Sequence, residues 1–302
     1  MMIVDDAQQL AFYLGICLFI ACLIGNGINI LVFSKARTYR TNPCTFYFLM
    51  GSIDNMFYVL LNLTIRILSD TYKIDIYRAS DVWCKIRQFF LFVPALISVT
   101  FSCLAIIDQF LITSRNVQLR SCSQIKWAHW ISLFVVIFWC LYGVHIFFLY
   151  RILSTTRTCG SDNPVLAIYS PIYLLGIICG IPVGIMTLFG FLTYRNIRLT
   201  IRPAELQYDR QLIKMTFIHV VLVIVSLLPY GVNRAYTLIT SGIVKDSDRQ
   251  SKEYFATTIV TLGTYLYYVG SCYTFLVTSN RFRERVKDEI FCCSRLNAIA
   301  PS

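Results

Sequence analysis

The chain has three histidines, twelve cysteines and sixteen acidic residues, the types that could catalyse a reaction or bind a metal. His145 and His219 are lone imidazoles within apolar stretches, and no set of His, Cys and carboxylate residues has the spacing of zinc ligands. A hydrogen-bonded structural role suits such imidazoles better than a metal or proton-transfer role. The sequence therefore predicts neither an enzyme active site nor a metal centre.

Asp54 is a carboxylate inside the apolar stretch from Cys44 to Leu68. A charged side chain near the middle of a bilayer costs about 2.5–3.5 kcal/mol on insertion scales, so such a residue usually has a function. Two interpretations stay open. Asp54 faces a polar interior where it binds an ion or waters, or it is a protonated acid that neighbouring groups satisfy, because burial disfavours the charged form.

Arginines and tyrosines recur near one end of several apolar stretches. Guanidinium groups together with tyrosines suit an anionic or peptide ligand, for example a carboxylate terminus or an acidic side chain. The alternative is that these arginines extend to lipid headgroups. The residues in question are Arg66, Arg87, Arg151, Arg234, Tyr230, Tyr236, Tyr265 and Tyr268.

Seven long apolar stretches must position these residues. Hydrophobic residues make up 57% of the chain and charged residues only 14%, a balance that indicates a membrane protein. A transmembrane helix needs about 20 mostly apolar residues. We therefore predict an all-α membrane protein with an N-terminal segment at 1–9, a seven-helix domain at 10–278 and a tail at 279–302. The predicted spans are Leu10 to Phe33, Cys44 to Leu68, Trp83 to Thr113, Trp127 to Tyr150, Ile168 to Tyr194, Leu212 to Leu238, and Tyr254 to Val277.

The basic residues predict how the bundle is oriented. Alternate loops and the tail place 16 of the 27 lysines and arginines on one side, while most acids outside the spans fall on the other. The positive-inside rule then puts the N-terminus outside the cell and the tail in the cytoplasm. The net charge of +11 reflects this topology and an attraction to anionic lipids, so no nucleic-acid partner is expected.

Four of the twelve cysteines lie outside the predicted spans or at their ends in informative places. Cys84 and Cys159 fall on the predicted extracellular side, where disulfides persist, and we predict a bridge between them; two free thiols are the alternative. Cys292 and Cys293 follow a basic amphipathic segment after the seventh span. They are either acylated, which would anchor the tail to the inner leaflet, or unmodified cytosolic thiols.

Residues at fixed spacing recur along almost the whole chain. Cys84 and Asp108 are 24 residues apart, and other recurring positions are Gly25, Asn26, Asp54, Trp139, Pro182, Pro229 and the segment from Asn280 to Arg283. Together they make the chain resemble the rhodopsin-like G protein-coupled receptors. The resemblance implies a seven-helix bundle with a short cytoplasmic amphipathic helix in the plasma membrane. It also implies an extracellular ligand, a heterotrimeric G protein and arrestin as partners.

The resemblance has consequences for what the bundle binds. Leu91 stands where many members carry an amine-binding aspartate, and the seventh predicted span lacks lysine, so neither a biogenic amine nor retinal is expected. Leu91 joins the predicted ligand-binding residues. In the bundle interior the resemblance implies a group with enough oxygens for a sodium ion or a water network, formed by Asn26, Asp54, Ser98 and Ser271.

The chain departs from the family at the end of the third predicted span. Asp108-Gln109-Phe110 stands where many members carry Asp-Arg-Tyr, whose arginine moves from an acid on the sixth helix to the G protein. Asp209 stands in the place of that acid, but an amide can only hydrogen-bond to it, without charge assistance. We therefore predict elevated basal activity or altered coupling. The predicted switch and G protein face consists of Asp108, Gln109, Phe110, Arg115, Asp209 and Pro229.

Asp108 itself has three open interpretations: it accepts hydrogen bonds from the following loop, pairs with Arg115 or Arg120, or is solvated at a helix end. The sixth span also lacks the family's tryptophan before Pro229, where Leu227 stands, and the seventh lacks a clear Asn-Pro-x-x-Tyr. The sequence thus favours a divergent receptor. A non-signalling or arrestin-biased scavenger receptor is the alternative, and a transporter is a weaker one.

Overall fold

The structure is a computed structural model that describes residues 2–35, 41–72, 80–153, 159–160, 164–199, 206–280 and 282–289. The described chain is a helical bundle with one small two-stranded ladder. Its elements are α1 (Met2–Lys35), α2 (Pro43–Tyr72), α3 (Asp81–Thr113), α4 (Val117–Ser121), α5 (Ile125–Gly143), α6 (His145–Leu149), β1 (Arg151–Ile152), β2 (Cys159–Gly160), α7 (Pro164–Ile172), a π-helix (Tyr173–Gly180), α8 (Ile181–Leu199), α9 (Leu206–Ile239), α10 (Ser247–Thr278) and α11 (282–289).

Membrane-length helices dominate the described residues. Six stretches are long and apolar enough to cross a bilayer, namely Ala7–Lys35, Pro43–Ser69, Asp81–Thr113, Ile125–Leu149, Tyr173–Arg198 and Phe217–Ile239. The remaining long helix, α10, has 32 residues but carries many threonines, serines and tyrosines, which lower its hydropathy. Several of these polar residues are buried in the bundle, including Thr258, Ser271 and Thr274. The polar face of α10 therefore points inward, whereas the polar face of a helix in a soluble protein points to water.

Helix ends follow local capping chemistry. Ser80 caps α3 by accepting a hydrogen bond from the Trp83 N–H at 3.2 Å, and Asp246 caps α10 by accepting one from the Arg249 N–H at 3.2 Å. Two predicted boundaries differ. α1 begins at Met2, so the described part of the predicted N-terminal segment is helical, and the predicted fourth span is broken at Val144 into α5 and α6.

The fifth predicted span contains a π-helix. Between Tyr173 and Gly180 the turns are wider than in an α-helix, and the Ile181 N–H donates to the Gly176 carbonyl, five residues back. The wide turns bring Leu175 against α9 at Gly231, where an added Cβ would lie 2.6 Å from the Leu175 Cδ2 atom. A Cβ atom at this helix crossing would therefore displace the Leu175 side chain.

The bundle closes as a ring because α1 packs against both α2 and α10, α2 against α3, α3 against α8, α8 against α9, and α9 against α10. Two apolar clusters fill it. One contains the buried rings of Tyr173, Tyr267 and Tyr268. The other contains Phe33 and Phe282, so the short helix α11 is held by an aromatic contact with α1, at 5.3 Å between ring centroids. The short helix predicted after the seventh span is thus present.

Gly25 sets how closely α1 and α10 approach. A Cβ added there would lie 2.2 Å from the Cys272 Sγ atom, whereas one added at Gly27 would meet nothing within 4 Å. We expect Gly25→Ala to destabilise the purified protein by about 1–3 kcal/mol through overpacking. Thermal unfolding in detergent measures the loss. Gly27→Ala is the matched control. Adding Cys272→Ala to Gly25→Ala should restore part of the lost stability. Equal effects of the two glycine variants would contradict the packing argument.

Candidate functional site

A disulfide ties a loop across one end of the bundle. Cys84 in α3 and Cys159 in β2 are bonded, with their Cα atoms 5.5 Å apart, which confirms the predicted bridge. β1 and β2 pair antiparallel beside it, with Ile152 opposite Cys159, and the Ile152 N–H donates to the Asp81 carboxylate at 2.7 Å. We call this the disulfide end, and the other the opposite end.

A cavity of about 520 Å³ lies within the disulfide end. Its size falls within the range of small-molecule sites. β2 contributes Cys159 and Gly160, so the tethered loop forms part of its wall. Seven of the nine candidate ligand-binding residues line this cavity: Arg66, Arg87, Leu91, Tyr230, Arg234, Tyr265 and Tyr268.

Three of the residues that line the cavity are arginines. Arg66, Arg87 and Arg234 line it, and none of the described lining residues is an aspartate or a glutamate. One side, formed by α10, is a row of hydroxyl groups from Thr257, Thr258, Thr261 and Thr264. The cavity therefore offers cationic and hydroxyl donors together, which is the chemistry that recognises a carboxylate or another anion.

Arg234 is held in place by Tyr230, one helical turn earlier. Its Nε and Nη2 atoms donate to the Tyr230 hydroxyl at 3.0 and 2.8 Å, and its Cζ atom lies 5.2 Å from the centre of the Tyr230 ring. None of the ion pairs among the described residues involves Arg234. Its orientation is fixed by neutral contacts, which leaves its charge available to a ligand.

An ionic cluster closes the connection between α9 and α10 beside the cavity. Glu253 accepts from Lys245 at 2.6 Å, from Arg249 at 3.0 Å and from the Tyr236 hydroxyl at 2.9 Å. The hydrogen bond from Lys245 lowers the pKa of the Glu253 carboxyl group, which precedes the predicted span. Tyr236 is committed to this cluster, and neither it nor Arg151, which is exposed in β1, is part of the cavity wall.

Below the cavity, stacked tyrosines lead to a polar cluster. The rings of Tyr58 and Tyr268 stack at 4.0 Å between centroids. One turn deeper, Asn55 of α2 accepts a hydrogen bond from Ser98 of α3 at 2.5 Å and donates one to Ser271 of α10 at 2.8 Å. We call the following residues the central polar cluster: Asn26, whose amide donates to the Tyr268 carbonyl at 3.3 Å, with Asn55, Ser98, Tyr267 and Ser271.

The structure corrects one part of the predicted group: Asn55, and not Asp54, forms the hydrogen bonds to Ser98 and Ser271. Asn55 binds the two serines, and one residue along an α-helix corresponds to a rotation of about 100°. The Asp54 Oδ2 atom is buried with no hydrogen-bond partner among the described residues. Sequence reasoning missed Asn55, although its polar side chain continues one buried face of α2 with Ser52 and Asn62 at helical spacing.

At the opposite end, Asp108 accepts a hydrogen bond from Ser123 at 2.7 Å. This is the predicted bond from the following loop; Arg115 and Arg120 are exposed and form no ion pair with Asp108 in the described chain. Gln109 is buried and donates to the Cys44 Sγ atom of α2 at 3.5 Å. The Phe110 ring packs on Phe189 of α8 at 5.4 Å.

The remaining predicted switch and tail residues are placed as follows. Pro229 lies inside α9, between Leu227 and Tyr230, which both line the cavity. The Asp209 side chain lies outside the described part of the chain, so its hydrogen bond to Gln109 stays a prediction. Cys292 and Cys293 also lie outside the described residues, and their acylation stays a prediction.

Membrane-length helices around a disulfide-tethered cavity, with a buried polar cluster beneath it, define a multi-pass membrane protein with the architecture of a receptor. The chain belongs to the family 7 transmembrane receptor (rhodopsin family), which matches residues 25–274. This match runs from α1 into α10 and confirms the predicted seven-transmembrane fold. No curated protein sequence matches the chain.

Proposed function

We propose that the chain is a plasma-membrane G protein-coupled receptor whose disulfide end faces outward and binds an anionic small molecule or a peptide with a free carboxylate. The observation that carries this proposal is Arg234, which lines the cavity and whose orientation is fixed by neutral contacts with Tyr230. The distribution of lysines and arginines supports the orientation, because the excess of basic residues falls at the opposite end.

The ligand class follows from the geometry around Arg234. A guanidinium group whose orientation is already fixed by Tyr230 loses less conformational freedom when it binds a carboxylate with two parallel hydrogen bonds. Leu91 contributes an apolar contact where an amine would need an acid. The threonine hydroxyls of α10 suit the polar remainder of a peptide or an organic anion.

Signal transfer to a G protein would use the opposite end. Asp108 is tied to the loop that follows α3 through Ser123, and Gln109 is tied to the start of α2 through Cys44. These hydrogen bonds would hold the resting arrangement. A hydrogen bond from a neutral side-chain amide is weaker than one that is assisted by charge. Exposed basic residues such as Arg115 would face the G protein or anionic lipid.

We expect Gln109→Arg to lower ligand-free G protein signalling, because arginine can form the ion pair with Asp209 that glutamine cannot. A G protein activation assay in cells, normalised to surface expression, measures basal signalling of both proteins. Gln109→Lys is the control that adds a positive charge without a guanidinium group. Equal basal activity of wild type and Gln109→Arg would contradict the elevated basal activity that we predict.

The absence of arginine at position 109 also favours a second candidate, a receptor that internalises ligand or recruits arrestin without activating a G protein. The same cells decide between the two functions if arrestin recruitment is recorded alongside G protein activation across a panel of carboxylate-bearing ligands. A ligand that recruits arrestin with no G protein response in wild type, and regains one in Gln109→Arg, would support the second function.

A further inference from the structure

The interior of the bundle departs from what the family resemblance implies at its most polar point. The resemblance implies a sodium ion held by a carboxylate on the second helix together with serine and asparagine oxygens. In the structure the residue that meets Ser98 and Ser271 is Asn55, an amide. We propose that the central polar cluster is closed by Asn55 and takes no sodium ion.

The hydrogen bonds of Asn55 leave poor ligands for a cation. Its Nδ2 group donates to Ser271 at 2.8 Å, so the positive end of an N–H dipole points at the serine oxygen that would have to coordinate the ion. Its Oδ1 atom already accepts from Ser98 at 2.5 Å. A bound cation would have to break both bonds, and each broken bond would leave a buried polar group to be satisfied again.

The neutral side chains of the central polar cluster also disfavour a bound cation. Each described member of the central polar cluster is neutral as an asparagine, serine or tyrosine, and Asn26, Asn55, Ser98 and Ser271 are buried. A cation bound by these residues alone loses hydration without gaining an opposite charge from them, which is unfavourable in a medium of low dielectric constant. Neutral hydrogen bonds among the helices need no counter-ion.

Asp54 precedes Asn55 in α2 and lies near Tyr267, but no described hydrogen bond joins its carboxylate to Ser98 or Ser271. It lies about 100° around α2 from Asn55, between that buried amide and Ile53, which is 44% exposed on the outer face of the bundle. Moving its carboxylate to the serines would require α2 to rotate, which would turn Asn55 away and separate the stacked rings of Tyr58 and Tyr268. Close packing of α2 between α1 and α3 opposes such a rotation.

The proposal is tested by thermal unfolding of the purified, detergent-solubilised full-length protein, without ligand or G protein. We compare NaCl with KCl and with N-methyl-D-glucamine chloride at equal ionic strength. Wild type should unfold at the same temperature in all three salts. Asn55→Asp supplies a carboxylate to Ser98 and Ser271 and should become more stable in NaCl alone, by at least about 2 °C.

Asn62→Asp is the matched control, because Asn62 is also a buried amide of α2 but binds the Tyr58 and Phe90 carbonyls instead of hydroxyl groups. It should gain no sodium response. Asp54→Asn tests whether the neighbouring carboxylate binds sodium instead. Its unfolding temperature should be the same in all three salts. A sodium-specific stabilisation of wild type would overturn the proposal, whether or not Asn55→Asp folds, and its loss in Asp54→Asn would assign the ion to Asp54.

Discussion

Arg234→Ala is expected to weaken an anionic agonist by about 2–4 kcal/mol, or roughly 30- to 1000-fold in potency. The reason is that Arg234 lines the cavity, is oriented by Tyr230 and forms no ion pair within the described chain. A panel of peptides and organic acids with a cellular signalling readout identifies an agonist, and dose–response curves then measure the loss. Arg234→Lys should recover only part of it, because a single ammonium group cannot form two parallel hydrogen bonds.

The control is Arg249→Ala, because Arg249 pairs with Glu253 outside the cavity wall. It should leave potency within a few fold of wild type. A neutral amide analogue of the agonist completes a double-mutant cycle. It should be weak on wild type and lose little more on Arg234→Ala. If the acid and the amide lose potency equally on Arg234→Ala, the arginine has a packing role and another residue binds the carboxylate.

Removing the disulfide is expected to lower the unfolding temperature by roughly 5–10 °C, which corresponds to about 2–4 kcal/mol. The bridge joins residues 75 positions apart, and the chain-entropy estimate for so long a loop is about 4 kcal/mol. We take that value as an upper bound, because α3 and α5 stay inserted in the membrane and restrict the loop even when the bridge is open. Cys84→Ser, Cys159→Ser and the double variant are compared by thermal unfolding.

The unfolding temperatures of all three variants should fall by the same amount, because either substitution removes the same disulfide bond. Cys122→Ser replaces an exposed free thiol and should be neutral. A large effect of Cys84→Ser with none of Cys159→Ser would show that the buried Cys84 side chain stabilises by packing alone, and the bridge would then contribute little.

Much of the fold and of the cavity could be predicted from the sequence, because both depend on properties that survive small errors in register. Bilayer thickness fixes the length of an apolar stretch, so the spans stand out even when their ends are displaced by several residues. Arg87 lies near the start of α3 and Arg234 near the end of α9, and both of these helix ends border the same cavity. The disulfide followed from two cysteines on one side of the membrane.

The interior polar cluster could not be predicted with the same certainty, because it depends on rotation around α2. Asp54 and Asn55 are adjacent, and an error of one residue moves a side chain by about 100°. A search for the most polar residue selects the aspartate, whereas the buried face is set by packing against α1, α3 and α10. The break at Val144 and the π-helix are also invisible to hydropathy, since both preserve the apolar character of their spans.

The π-helix changes how this receptor can be compared with its relatives. A turn closed by hydrogen bonds between residues five apart uses one more residue than an α-helical turn, so it accommodates an inserted residue without shifting the far end of the helix. A relative with a regular α-helix here would need an alignment gap between Pro171 and Pro182. Without that gap, positions before the π-helix are matched about 100° out of phase, and a ligand contact at Tyr173 would be assigned to a lipid-facing neighbour.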